Sequence, residues 1–301
     1  MADYEVLDPR FRDCFNRTAR VEQLWTGARW TEGPAFFAAG RYLVFSDIPN
    51  NRMLRFDECS GSVGVFRHPS GYSNGNTVDR QGRLVTCEHG GRRVVRTEHD
   101  GRLTVIADNY RGKRLNSPND VVVKSDGSIW FTDPPYGILS DYEGHKADSE
   151  LGAFNVFRVD VTGKIAIAAD DFIRPNGLAF SLDEKRLFIV DSAGGRDPSL
   201  PKHIRVCDVA ANGRLSKGRE LADCTAGRFD GIRLDDAGRL WAAADDGVHC
   251  LDQRGMLIGK ILIPEICSNV CFGGPKRNYL FVCATTSLYG VLLPVNGART
   301  Y

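Results

Sequence analysis

The 301-residue chain has no long apolar run. No stretch approaches the roughly 18 apolar residues that a membrane-spanning helix needs. Its first residues, Met-Ala-Asp-Tyr-Glu-Val-Leu-Asp-Pro-Arg, carry no apolar h-region of a secretory signal. Charge of one sign is not in excess: the formal net charge is +1. No global field therefore draws the chain to nucleic acid or to an anionic membrane. The paired basics Arg92-Arg93 and Lys113-Arg114 are isolated and read as solvated surface. The nine Cys form no CxxC pair and are odd in number, which argues against a disulfide framework or a zinc ribbon. Cys87, Cys207, Cys250 and Cys283 fall at strand positions and read as core fillers in a reducing, cytoplasmic compartment. There is no Gly-x-Ser-x-Gly elbow and no Cys-His signature, so serine or cysteine nucleophile chemistry is not expected.

What the chain does have is ordinary globular composition, 42% hydrophobic and 26% charged, with 32 Gly for tight turns. It also has a repeat. Asn119-Asp-Val-Val-Val-Lys-Ser-Asp-Gly-Ser-Ile-Trp-Phe-Thr-Asp133 reads as a polar residue, a short strand, a turn, a second strand and a terminal acid. Related stretches begin at Glu32, Asn76, Asn176, Asp230 and Asn269, so successive starts lie 44, 43, 57, 54 and 39 residues apart. Four strands per unit at this period indicate a β-propeller, and six units indicate six blades. The long spacings contain insertions, Pro134–Leu151 and Ser192–Lys202, expected to overhang the binding face.

The sixth unit is one strand short, and the unpaired strand near Val21–Trp25 can supply it. Pairing the first strand with the last blade closes the ring and removes an edge. The expectation is an all-β, single-domain propeller over residues 1–301, with an irregular arm over 1–16 and a closing strand within 17–28.

In such a meander the start of strand one and the end of strand two share a face, and strand one lines the central channel. Glu32, Asn76, Asn119, Asn176, Asp230 and Asn269 are thus expected around one mouth. Asp47, Glu88, Asp133, Asp191 and Asp245 should stand just outside them. Hard oxygen donors without His or Cys suit a divalent cation, calcium first, with magnesium keeping more of its water. The charges of Glu32 and Asp230 balance such an ion. A single Asn or Asp before a strand more often caps a turn, but six in register point to ligation.

Glu32-Gly-Pro, Ser117-Pro-Asn119-Asp120, Arg174-Pro-Asn176-Gly177 and Phe229-Asp230-Gly231 together resemble the motifs of the senescence-marker-protein (regucalcin), gluconolactonase and luciferin-regenerating-enzyme family. The resemblance runs from about residue 20 to 295. Lys113-Arg-Leu-Asn-Ser-Pro-Asn-Asp120 and Gly75-Asn76-Thr with Cys87-Glu-His place it nearest the bacterial gluconolactonase-like branch. It implies one catalytic divalent metal, often calcium, with zinc, manganese or magnesium as alternatives. The ligands it implies are Glu32, Asn176 and Asp230, with Asn119 as a fourth ligand or a substrate contact. The sixth inner strand, Ser268-Asn-Val-Cys-Phe, lacks the His of related fluorophosphatases, which speaks against phosphotriesters.

The expected reaction is opening of a sugar lactone, glucono-1,5-lactone first, by Lewis-acid activation of the carbonyl and attack of water. Asp230 is the first candidate for general base, with Asp133 and Asp191 as alternatives. Asn76, Arg114, Asn116, Asn119 and His89 are candidate contacts to the polyol, although Arg114 reads equally as a solvated charge and His89 as a structural hydrogen bonder. Tyr136, Tyr142 and His145 read first as packing of the insertion on the disc. The competing readings are an ester or phosphotriester hydrolase on the same site, and a non-catalytic calcium-binding or interaction propeller. The expected partner is a small sugar lactone, with the chain a monomer or weak homodimer.

Overall fold

The computed structural model describes residues 3–195, 197 and 199–299. Six antiparallel sheets follow one another around a central axis. Blade one is Thr31–Phe37, Tyr42–Asp47, Arg52–Asp57 and Val63–Arg67; blade two is Ser73–Val78, Leu84–Glu88, Arg93–Thr97 and Leu103–Ala107. Blade three is Val121–Val123, Ile129–Asp133, Asn155–Val159 and Ile165–Ala169; blade four is Pro175–Phe180, Arg186–Asp191, His203–Asp208 and Arg219–Asp223. Blade five begins with Ile232–Leu234, Leu240–Ala244, Gly247–Leu251 and Leu257–Leu262, and blade six with Cys267–Gly273, Tyr279–Ala284 and Ser287–Leu292. The expected six-bladed propeller is the observed fold. Glu22–Thr26 pairs antiparallel with Ser287–Leu292, so the N-terminal strand completes blade six and closes the ring.

The core lies between blades. Each inter-blade layer is filled by alternate strand residues, such as Val85, Phe131 and Phe157 between blades two and three. Cys87, Cys207, Cys250 and Cys283 are all fully buried. Among the described residues no helix is long and apolar enough to cross a membrane.

The arm, described from residue 3, is ordered over 3–13, contrary to the expected irregular arm over 1–16, of which residues 1 and 2 lie outside the described residues. Tyr4–Val6 adds a fifth strand to blade five through Leu257–Leu262. A 3-10 turn over Pro9–Asp13, capped by the Asp8 side chain on the Arg10 amide, then carries Phe11 into the core. Phe11 is fully buried and stands against Trp241 with ring centroids 6.3 Å apart. A Cβ on Gly259 would lie 2.1 Å from the Phe11 ring, so the strand beneath makes room for it. One aromatic among acidic and basic neighbours gives too weak a period to be read from sequence.

The six inner strands neighbour one another in ring order and crowd the axis. One layer of that ring is Gly33, Gly75, Asp120, Gly177, Gly231 and Asn269. A Cβ at Gly33 would sit 2.1 Å from the carbonyl oxygen of Asn74, and one at Gly177 would sit 2.2 Å from that of Asp230. Glycine is required there because backbone meets backbone.

Phe11→Ala leaves a void between the arm and blade five. We expect a loss of about 3–5 kcal/mol in urea unfolding; an unchanged midpoint would show that the arm does not contribute to the fold.

Candidate active site

Immediately outside the glycine layer each inner strand carries one polar side chain, and those of blades one to five line the mouth of the channel; Ser268 of blade six is fully buried and donates to the carbonyls of Thr31 and Cys283. The strand registers agree: Thr31, Ser73, Pro175 and Cys267 each open a strand, and a β-bulge follows within two residues. The next residues are Glu32, Asn74, Asn176 and Ser268. Asn119 and Asp230 take the same place on blades three and five, where Asn119 donates to the Thr132 carbonyl and Asp230 to that of Ala243. The ring is therefore Glu32, Asn74, Asn119, Asn176, Asp230 and Ser268.

This corrects the expected ring at two blades. Asn76 lies beyond the bulge and is fully buried. Its Nδ2 donates to the carbonyls of Gly33 and Asn74 and to Ser46 Oγ, and its Oδ1 accepts from Thr86 Oγ1. With those bonds made it braces blades one and two and does not line the mouth. Asn269 is one residue past the ring; its Nδ2 donates to Glu32 Oε2 at 3.0 Å. Asn74 was detectable, since Asn74-Gly75 repeats the polar-Gly pair of Glu32-Gly33, Asn176-Gly177 and Asp230-Gly231.

The cavity at the mouth is lined by Trp30, Glu32, Ile48, Asn74, Asn119, Tyr136, Glu143, Asn176, Arg228 and Asp230. About 50 Å³ of it admits water, more than a single water needs. That volume suits an ion, and a larger ligand must extend out through the mouth.

The two carboxylates define its electrostatics. Burial, then the charges of Asp230 and Asp120, push the Glu32 carboxyl well above its ordinary range. Burial pushes Asp230 up to about 7, with Asp120 and Glu143 adding to the rise while Arg228 and a hydrogen bond from Asn176 oppose it. Glu32 Oε2 accepts from the Gly33 amide at 2.7 Å and from Asn269. Asn176 spends its Nδ2 on Ser192 Oγ at 3.0 Å and on Asp230, which leaves its carbonyl oxygen as the donor atom toward a cation.

A divalent cation fits this donor set. Two buried carboxylates share the site with one guanidinium, that of Arg228, and both remain raised; the amide oxygens beside them would add ligands without adding charge. Among the described residues no three His, Cys, Asp or Glu side chains converge as a metal cluster; the site would rely on two acids and neutral amides. Glu32, Asn119, Asn176 and Asp230 line one cavity, as the ligand set requires.

The outer acids do other work. Asp47 accepts from the Arg29 amide, Asp133 from the Asn116 amide, and Asp191 from the amides of Ile173 and Arg174. Each caps the loop that leads into the inner strand of its own blade, three residues before the ring position. Asp133 and Asp191 are buried behind those loops and are absent from the cavity wall, so neither is placed to serve as base. Glu88 holds the same register and pairs with Arg93 at 2.6 Å. Asp245 is one residue late, and Ala244 takes its place in the register.

The remaining candidates divide. Asn116 is fully buried and binds Asp133, the Ala153 carbonyl and Ser149, anchoring the insertion away from the cavity wall. Arg114 is exposed on a two-residue hairpin arm and does not line the cavity. His89 stands behind Asn74, fully buried, with Nε2 3.0 Å from Asn74 Nδ2. Tyr136 does more than pack the insertion: it lines the cavity and its hydroxyl meets Ser192 Oγ at 2.7 Å. Tyr142 is half exposed, and His145 packs edge-on to Tyr72. Arg228 and Glu143 escaped the sequence reading, as loop charges without a repeat signature.

Comparison with known proteins identifies relatives of the whole chain. The SMP-30/Gluconolactonase/LRE-like region matches residues 30–286. A gluconolactonase of Zymomonas mobilis is 32% identical, the alignment covering 95% of this chain and 84% of that one. A pentonolactonase of Haloferax volcanii is 26% identical over 85% of this chain and 82% of its own. The structure of a gluconolactonase of Xanthomonas campestris superposes with a TM-score of 0.90 at 37% identity, covering 97% of this chain and 95% of that one.

Asp230 also generates a pH dependence. Its folded-state value, about 7, exceeds its ordinary 3.8. The folded state then holds the proton more tightly, so stability is full below 3.8 and is lost as pH rises through about 7. In cation-free protein, Asp230→Asn removes that loss. We expect the variant to melt higher than the parent at alkaline pH and alike at acid pH; a parent melting point that rises from pH 4 to 7 relative to the variant would contradict the assignment.

Proposed function

The chain belongs to the SMP-30/Gluconolactonase/LRE-like family and is a lactone hydrolase; we propose that its substrate is a sugar lactone, glucono-1,5-lactone first, and that one divalent cation, calcium first, assists the opening. The observation that carries this reading is the pair of buried carboxylates, Glu32 and Asp230, in a ring of amides at the channel mouth. The relatives act on lactones of sugar acids by their names, a gluconolactonase and a pentonolactonase among them.

Glu32, Asn119, Asn176 and Asp230 would hold the cation. When bound, it supplies Lewis-acid polarisation of the lactone carbonyl and charge for the developing oxyanion.

The chain's own groups do the rest. The Asp230 carboxylate takes a proton from water as the water oxygen bonds to the carbonyl carbon. The ring C–O bond then breaks, and the proton held on Asp230 passes to the departing ring oxygen. Arg228 lines the same wall, and the charges of Asp230 and Glu143 help keep it protonated against the cost of burial. Tyr136, whose phenol burial keeps protonated, offers a hydroxyl to the substrate from the insertion. The insertion shields the mouth from bulk water.

The test is acid release across a panel of sugar lactones with calcium, magnesium, manganese or zinc supplied. We expect opening that a chelator abolishes and that Asp230→Asn lowers by about 10²–10⁴-fold in kcat. If no sugar lactone opens with any of these ions, the reading fails.

A further inference from the structure

Asn74 carries a buried polar atom with nothing to bind. The residue is 3% exposed and lines the cavity. Its Oδ1 has no hydrogen-bond partner among the described residues. Leaving a buried carbonyl unpaired costs about 1–3 kcal/mol, so an oxygen held this way at a cavity wall is set for a ligand.

Which atom of the amide faces the cavity follows from its neighbours. His89 Nδ1 lies 3.2 Å from the Glu143 backbone carbonyl, which can only accept. Nδ1 therefore carries the ring proton. Burial holds His89 neutral, its value lowered to about 4. A neutral imidazole has one proton, so Nε2 presents a lone pair. The group opposite, 3.0 Å away, must be the Asn74 amide NH2. The carbonyl oxygen is then the amide atom left without a partner, buried in a residue that lines the cavity. The chain of constraint starts in the 134–151 insertion: Gly137 packs so closely on His89 that a Cβ there would lie 2.5 Å from the His89 Cβ.

We propose that Asn74 accepts a hydrogen bond from a hydroxyl of the substrate, and that His89 is the positioning residue that turns its carbonyl oxygen toward that hydroxyl. The proposal rests on the sugar-lactone reading and narrows it to lactones that carry hydroxyls. The carbonyl and ring oxygens of a lactone only accept, so its hydroxyls are the groups able to satisfy Oδ1. Asn74, on blade two, stands between Glu32 of blade one and Asn119 of blade three. Glu32 and Asp230 belong to blades one and five, which flank blade six. Blade two lies across the ring from blade five, so Asn74 faces Asp230 over the mouth.

The experiment compares glucono-1,5-lactone with δ-valerolactone, which has the same ring and no hydroxyls. For Asn74→Ala we expect the ratio of kcat/KM between the two to fall about tenfold, through KM for the hydroxylated lactone. His89→Leu removes the acceptor for the amide and lowers the same ratio. His89→Gln, whose carbonyl oxygen can accept from Asn74, restores part of it. An unchanged ratio in Asn74→Ala, whether both rates fall together or neither does, overturns the proposal; equal loss on both lactones would assign Asn74 to the attacking water or the cation. Heteronuclear NMR of the ring nitrogens in the unaltered, cation-free protein gives a readout independent of turnover. It should show Nδ1 protonated and Nε2 bare near neutral pH, and the opposite tautomer overturns the part given to His89. Should the parent open neither lactone, it is the functional reading that fails, and the tautomer still decides how Asn74 is held.

Discussion

Glu32 and Asp230 face one cavity from blades one and five, each buried and each with its carboxyl raised above its ordinary range. Bringing two acids out of water and toward each other is unfavourable unless they share a proton or a cation. The glycine layer makes it possible. With no side chain at Gly33, Gly75, Gly177 and Gly231, the inner strands close to backbone contact and set their ring residues around a small mouth. Asn269 and Asn176 then steady the acids from the side. The amide ring adds acceptors and donors without adding like charge.

Around this core the polar residues form a support structure. Three acids at the ends of second strands hold backbone amides of the incoming loops, so the heights of Glu32, Asn119 and Asn176 are fixed three residues upstream. Asn116 ties the loop before blade three to the 134–151 insertion through Asp133, Ser149 and Ala153. The insertion itself brings Tyr136 and Glu143 to the cavity and packs on His89 through Gly137.

Much of the fold was legible because it repeats. Spacings near 40 to 57 residues, strand pairs closed by turn residues, and one unpaired strand near Val21–Trp25 sufficed for six blades and their closure. Glu32, Asn119, Asn176 and Asp230 were legible because each stands beside a Gly or Asp at the start of an inner strand. The misses have physical causes. A β-bulge inserts residues into strand one, so alternation alone put blade two at Asn76 in place of Asn74. Capping and catalysis both use carboxylates at strand ends, and only the backbone amides around Asp133 and Asp191 separate the two roles. Phe11, Glu143 and Arg228 come from segments without a period, where distant contacts decide the position.

The central claim is that Glu32 and Asp230 form one cation site whose acids are partly protonated when it is empty. Calorimetric titration of the cation-free protein with calcium, near neutral pH and in buffers of different ionisation enthalpy, tests it directly. The account predicts one ion bound per chain with release of about one proton or more, and loss of both signals in Glu32→Gln. Absence of divalent binding, or binding that releases no proton and survives Glu32→Gln, would contradict it.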